Sequence, residues 1–223
     1  MSDNSVPQHI LISGGEGDLA RALRAEFQRL GDTVHAPGRG EMDVREESQV
    51  EAYFAKIERL DVLIANAGLT RDGAMTGLSS LDFDTVLQTN LRGSFFCARS
   101  ALKRMVKQRS GHILFIGSRA AKCGTRGQSA YAAAKAGLVG LAQTLALEYG
   151  GRNIRCNVVL PGFLETRMTA QLPPARREEV RAEHALGRFN TAENAARFIA
   201  TLARLDHVSG QVFTLDSRID RWT

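Results

Sequence analysis

The sequence predicts an α/β protein with a single doubly wound parallel sheet flanked by helices. Short apolar runs alternate with longer segments of helical period from end to end, which is the pattern of repeated βαβ units. A glycine-rich turn separates the first apolar run from the first helical segment, a connection typical of open α/β sheets. The chain has 223 residues, which suits one large domain at roughly 150 residues per domain. Residues 1–223 are therefore expected to form one unit.

The strands expected are His9 to Ser13, Thr33 to Ala36, Val62 to Ala65, His112 to Gly117, Ile154 to Val159 and Gln211 to Leu215. Between them, helical periodicity covers Gly17 to Leu30, Glu46 to Arg59, Leu81 to Gln108, Ser129 to Tyr149 and Ala192 to Leu205. Ser79, three residues before Asp82, reads as a capping-box entry, and Thr191 as the N-cap of the Ala192 helix. The charged stretch Glu165 to Arg188, with Pro173 and Pro174, has no strand pattern. It is expected to be a mobile helical excursion, a lid at about 163–190 over the ligand edge of the sheet.

Composition narrows the function. Apolar residues make up 43% and charged residues 24%, which excludes a disordered chain. No run approaches the roughly 18 apolar residues of a membrane span, and the polar start MSDNSVPQH has no signal-peptide core. Cys97, Cys123 and Cys156 suit neither a disulfide framework nor a zinc set, and His9, His35, His112, His184 and His207 show no ligand spacing. A cytoplasmic protein without a metal is expected. Its basic residues, 29 against 24 acidic ones, are dispersed, which argues against nucleic acid and leaves a small or protein-borne anion compatible.

Two local patterns carry chemistry. In Ser13-Gly14-Gly15-Glu16-Gly17-Asp18-Leu19-Ala20, a turn between strand and helix lets backbone N–H groups approach a pyrophosphate at the positive helix end. The same glycines also serve as plain structural punctuation elsewhere. Tyr131 and Lys135 stand four apart and share a helical face, where an ammonium would lower a phenol pKa toward working pH. An exposed tyrosine beside a solvated lysine has the same spacing. Ser118, thirteen residues before Tyr131, follows a strand at its C-terminal end, where open α/β sheets bind ligands.

The glycine turn, Asn66-Ala67-Gly68, Asn90, Ser118, Tyr131, Lys135 and Pro161-Gly162, in this order, resemble the short-chain dehydrogenase/reductase superfamily. Within it the likeness is greatest to 3-oxoacyl-[acyl-carrier-protein] reductases, through Thr70-Arg71-Asp72, Gln88-Thr89-Asn90-Leu91, Ile116-Gly117-Ser118, Tyr131 to Gly137 and Pro161 to Thr166. The resemblance implies a Rossmann-type sheet and an NADPH-dependent reductase of fatty-acid or polyketide-like synthesis. It makes Tyr131 the general acid, Ser118 the group that hydrogen-bonds the carbonyl, Lys135 the ribose ligand and Asn90 the holder of a relay water. Asn90 as a helix-interrupting residue bonded to backbone is compatible with that role.

The implied coenzyme contacts are the turn from Ser13 to Leu19, Arg39, Asp43 and Val44, Asn66 to Gly68, Tyr131 and Lys135, and Pro161, Gly162, Leu164 and Thr166. No acid follows the second strand in Pro37-Gly38-Arg39, so Arg39 is expected to face a 2′-phosphate and select NADP; a solvated loop arginine is the plainer reading. Arg109 and Arg152 match positions where carrier-protein reductases hold basic residues, and acyl-carrier protein is acidic. Met168 and Leu172 are expected to line the substrate pocket under the lid.

The pattern also departs from the family. The phosphate turn is one residue short, and Asp216-Ser217-Arg218 replaces a glycine pair in a segment that often contributes to subunit contacts. Only six residues separate Ala36 from Asp43, too few for a helix, so the helix between strands 2 and 3 is expected to be missing and the third strand vestigial. The Ala132, Ala133, Ala136, Gly137 and Gly140 face of the long helix suits a homodimer or homotetramer, or packing within the chain. A reductase of another small carbonyl or alcohol and a silent NADP-binding subunit remain as alternatives, though an intact Ser118, Tyr131 and Lys135 argues against silence.

Overall fold

A computed structural model describes residues 6–165, 169–171 and 173–219. Its six strands are β1 (His9–Ile12), β2 (Thr33–His35), β3 (Val62–Ala65), β4 (Gly111–Ile116), β5 (Ile154–Leu160) and β6 (Val212–Thr214). They form one sheet in the order β2-β1-β3-β4-β5-β6, and every pairing is parallel. The order reverses between β1 and β3, so the crevice beyond their C-terminal ends is the topological place for a ligand.

Helices cover both faces, as the nearly uninterrupted apolar strands require. Alternate side chains of each strand point to opposite faces. On one face Leu11, Leu63, Ile113, Phe115 and Val158 meet α2 (Glu47–Ala55), α4 (Gly93–Gln108) and α6 (Ser129–Tyr149) through Phe54, Phe96 and Leu138. On the other, Ile10, Ile12, Ile64 and Leu114 meet α1 (Asp18–Arg29) and α8 (Ala192–Ala203) through Leu23, Phe27 and Ile199. Each large apolar side chain buried in this way contributes about 1.5–3 kcal/mol.

The helix between the second and third strands is present, which corrects the expectation of a missing one. The count of six residues stopped at Asp43, whereas α2 starts at Glu47, beyond the turns that occupy residues 37–46. Nor is the third strand vestigial: β3 is buried at all four residues and pairs with both β1 and β4.

The expected helix from Leu81 to Gln108 is α3 (Ser80–Leu87), a π-helical turn (Gln88–Arg92) and α4. Ser79 caps α3 by accepting from the Asp82 N–H at 3.0 Å, and Thr191 caps α8 by accepting from the Asn194 N–H at 3.1 Å. A short α5 (Ala120–Cys123) follows β4, and α7 (Pro174–Ala182) lies in the excursion. Pro174 stands in the first turn of α7, where its missing N–H does no harm. By length and composition the stretch Ser129–Arg152 could cross a membrane. It packs one face against the sheet, burying Ala134, Lys135, Leu138 and Ala142, with 33% of its apolar window buried.

Candidate active site

Two loops at the switch point are stitched together by one side chain. The Ser13 hydroxyl, buried after β1, accepts from the N–H groups of Asn66 at 3.0 Å and Ala67 at 3.1 Å. In return the Asn66 amide donates to the Ser13 carbonyl at 3.1 Å. A Cβ at Gly14, which has φ +68, would lie 2.9 Å from the Ala67 Cα, and one at Gly15 would lie 2.0 Å from the Ala36 carbonyl oxygen. Both residues are glycine for lack of space. The turn ends at Gly17, which gives α1 no side-chain cap, so the positive end of that helix faces the turn. This cradle fits a coenzyme pyrophosphate.

The candidate catalytic side chains lie beyond β4. Ser118 accepts from the Ala120 N–H at 3.3 Å, and its hydroxyl lies beside the Tyr131 phenol. Burial raises the phenol pKa, with the Ser118 hydroxyl opposing and the Asp72 charge reinforcing the shift. That direction is the reverse of the lowering expected from a nearby ammonium. The reason is that Lys135 Nζ is drawn to the Ile116 carbonyl, donating to it at 2.7 Å, and lies 5.6 Å from the centre of the Tyr131 ring. Burial brings the Lys135 pKa down to about 8.

Asn90 lies in the π-helical turn, fully buried. Its amide donates to the carbonyls of Leu69 at 2.8 Å and Val86 at 3.0 Å, and its side-chain oxygen accepts from the Leu69 N–H at 3.1 Å. The side chain is thus a clamp on backbone, and π turns of this kind cluster at functional sites. It fixes the Asn66 to Gly68 loop closely enough that a Cβ at Gly68 would lie 2.5 Å from Asn90 Oδ1 and 3.5 Å from Lys135 Nζ. Asn90, Gly68 and Lys135 are therefore brought together.

Pro161 and Gly162 follow β5 at the same sheet edge. Gly162 has φ +81, and a Cβ there would lie 2.4 Å from the Leu215 carbonyl oxygen. Leu164 bridges Asn190, so the excursion leaves and returns at one point. Asn190, which the sequence reading missed, donates to the carbonyls of Pro161 at 2.9 Å and Leu215 at 3.2 Å. Thr166, Met168 and Leu172 lie outside the described residues. Among the described residues, a cleft of 1240 Å³ between α1, α8 and the excursion meets the expected coenzyme residues only at Asp18.

The remaining expected residues divide. Arg39 and Arg45 both pair with Asp43, at 3.2 and 2.6 Å, and Arg45 holds that carboxyl well below its ordinary pKa. Val44 is buried and packs so closely on α4 that a Cβ at Gly93 would lie 2.7 Å from its Cγ2. Arg109 and Arg152 precede β4 and β5, whereas the site follows those strands. The six residues of β4 separate the two edges by about 20 Å, so these arginines are not brought to Ser118.

Comparison with known proteins gives the chain its family. A family model described as enoyl-(acyl carrier protein) reductase matches residues 16–217. The chain is 36% identical to the 3-oxoacyl-[acyl-carrier-protein] reductase FabG of Thermotoga maritima, over 92% of this chain and 95% of the relative. It is 35% identical to the FabG of Aquifex aeolicus, over 91% of this chain and 84% of the relative. With the Escherichia coli FabG it shares 37% identity, over 79% and 74%. A glycine cradle at the switch point, Ser118 beside Tyr131 with a buried lysine nearby, and matches over most of the chain lead to one conclusion: this chain belongs to the short-chain dehydrogenase/reductase superfamily, closely related to the FabG-type 3-oxoacyl-[acyl-carrier-protein] reductases, and is an NAD(P)H-dependent oxidoreductase.

Proposed function

We propose that the chain reduces a 3-oxoacyl thioester, carried on acyl-carrier protein, to the 3-hydroxyacyl form with NADPH in the cytoplasm. The observation that carries the reading is the placing of the Ser118 hydroxyl beside the Tyr131 phenol, whose pKa it lowers against the effect of burial. A pair of hydroxyls suits a carbonyl oxygen, which needs hydrogen bonds as charge develops and then a proton. An enoyl double bond offers no such acceptor at the reacting carbons, which favours the 3-oxo reading over the family description.

The coenzyme, when bound, supplies the hydride. Ser13 to Leu19 would hold its pyrophosphate, Asn66 to Gly68 its adenine ribose side, and Pro161, Gly162, Leu164 and Thr166 its nicotinamide end. Arg39 would offer a guanidinium to the 2′-phosphate, with Asp43 and Val44 shaping the adenine side. Tyr131 donates the phenolic proton to the carbonyl oxygen, and its raised pKa keeps that proton in place at neutral pH. Ser118 orients the carbonyl. Lys135 turns from the Ile116 carbonyl toward the ribose, and Asn90 keeps the loop beneath it in register.

The excursion at 163–190 would act as the lid. Carrier docking at Arg109 and Arg152 would present the acyl group to a neighbouring copy, because those arginines lie across the sheet from their own Ser118. Such a homodimer or homotetramer would use the exposed Ala133, Ala136 and Gly140 of α6. The test is loss of reduced-nicotinamide absorbance with an acetoacetyl thioester, free and on the carrier. Turnover of the thioester supports the reading; coenzyme binding without turnover moves the substrate to another small carbonyl or alcohol.

A further inference from the structure

We propose that Glu16, supported by Glu41, is a coenzyme-specificity residue that weakens the hold on a 2′-phosphate, so that this chain accepts NADH as well as NADPH. This rests on the dinucleotide reading of the site. The shortened glycine turn lies directly on the loop after β2: the Gly15 N–H donates to the Pro37 carbonyl at 2.9 Å. That contact brings the Glu16 side chain against Gly38. A Cβ at Gly38 would stand 2.7 Å from Glu16 Oε1 and 2.8 Å from its Cδ. From the other side, Glu41 Oε2 accepts from the Gly38 N–H at 3.0 Å.

Two carboxylates thus converge on Gly38 in the loop after β2, the region from which open α/β sheets read the 2′ substituent. The sequence shows no acid at that position itself. Folding supplies the acids from the turn and from three residues downstream. The Gly38 N–H is an anion donor already given to a carboxylate, and Arg39 is bonded to Asp43 at 3.2 Å, so the positive charge offered to a phosphate is partly neutralised. A carboxylate accepts readily from a ribose 2′-hydroxyl and repels a 2′-phosphate.

The experiment titrates NADPH, NADH, adenosine 2′,5′-bisphosphate and AMP into the full chain by calorimetry, for the wild type, Glu16→Gln and Glu41→Gln. Both substitutions keep the side-chain volume, and Glu41→Gln keeps an oxygen for the Gly38 N–H. The proposal expects wild-type dissociation constants for NADPH and NADH within about tenfold of each other, a difference of about 1.4 kcal/mol. Glu16→Gln should tighten NADPH and the bisphosphate about tenfold and leave NADH and AMP unchanged or weaker, with Glu41→Gln moving in the same direction. Equal effects on the phosphorylated and plain nucleotides, or none, overturn the role of Glu16. Failure of the wild type to bind either coenzyme overturns the dinucleotide reading itself.

Discussion

Lys135 Nζ donates to the main-chain carbonyl of Ile116 at 2.7 Å, across a gap of nineteen residues. The bond ties α6 to the end of β4 and holds the ammonium in the core side of the site. Buried lysines of this kind are costly, because desolvation disfavours the charged form. The pKa is accordingly lowered, to about 8, from an ordinary value of 10.5.

Lys135→Met should therefore stabilise the fold while abolishing turnover. Removing a charge desolvated by this much gains up to about 3 kcal/mol, and the orphaned Ile116 carbonyl returns about 1 kcal/mol of that. Urea denaturation at neutral pH should show a net gain of about 1–2 kcal/mol. The wild type should also gain stability as pH rises from about 8 toward 10.5, because the unfolded lysine binds the proton more tightly there. The Met variant should lack that rise; a destabilised variant would mean that the bond to Ile116 outweighs the burial penalty.

Ser13→Ala should loosen the switch point. It strips the acceptor from two loop N–H groups, those of Asn66 and Ala67, and each unsatisfied donor costs about 1–3 kcal/mol. Thermal unfolding should shift down, and coenzyme affinity should fall because both loops of the cradle move. Unchanged melting with unchanged affinity would show that water replaces the hydroxyl.

His112 makes the fold acid-sensitive. It is fully buried in β4, with Nε2 2.8 Å from the Asn157 amide nitrogen and Nδ1 3.4 Å from the Ala203 carbonyl. The ring is therefore neutral, accepting from Asn157 and turning its Nδ1–H to Ala203. Burial brings its pKa down to about 3 from 6.5, and the Arg155 charge adds to the shift. The unfolded chain binds a proton that the folded chain refuses, so stability is full above pH 6.5 and falls as pH drops toward 3. The slope should approach about 1.4 kcal/mol per pH unit. His112→Gln should flatten that part of the profile, and an unchanged slope would move the sensitivity elsewhere.

Much of this was legible in the sequence because its physics is local. Strand β4 reads as the apolar run Ile113 to Ile116 ahead of Gly117, and Ser79 and Thr191 reveal their caps by the residues that follow. Ser118, Tyr131 and Lys135 could be found by spacing along one strand end and one helix. What escaped depends on where the chain goes next. The helix between strands 2 and 3 was expected to be missing because the residue count ended at Asp43, although the periodicity from Glu46 to Arg59 already marked α2 (Glu47–Ala55). The Tyr131 shift was reversed because burial and the Ile116 carbonyl, both tertiary facts, override the nearby ammonium. Asn190 gives no sequence signal beyond standing before a helix cap, since its partners Pro161 and Leu215 are 29 and 25 residues away.

The central claim is that Tyr131 delivers the proton. It is tested most directly by comparing wild type and Tyr131→Phe for turnover of an acetoacetyl thioester and for coenzyme binding in the same preparations. Turnover should fall by about 10²–10⁴-fold with the coenzyme dissociation constant unchanged, since the phenol hydroxyl lies beside Ser118 and not in the cradle. Turnover retained within about threefold, with binding intact, would contradict it and assign the proton to another donor.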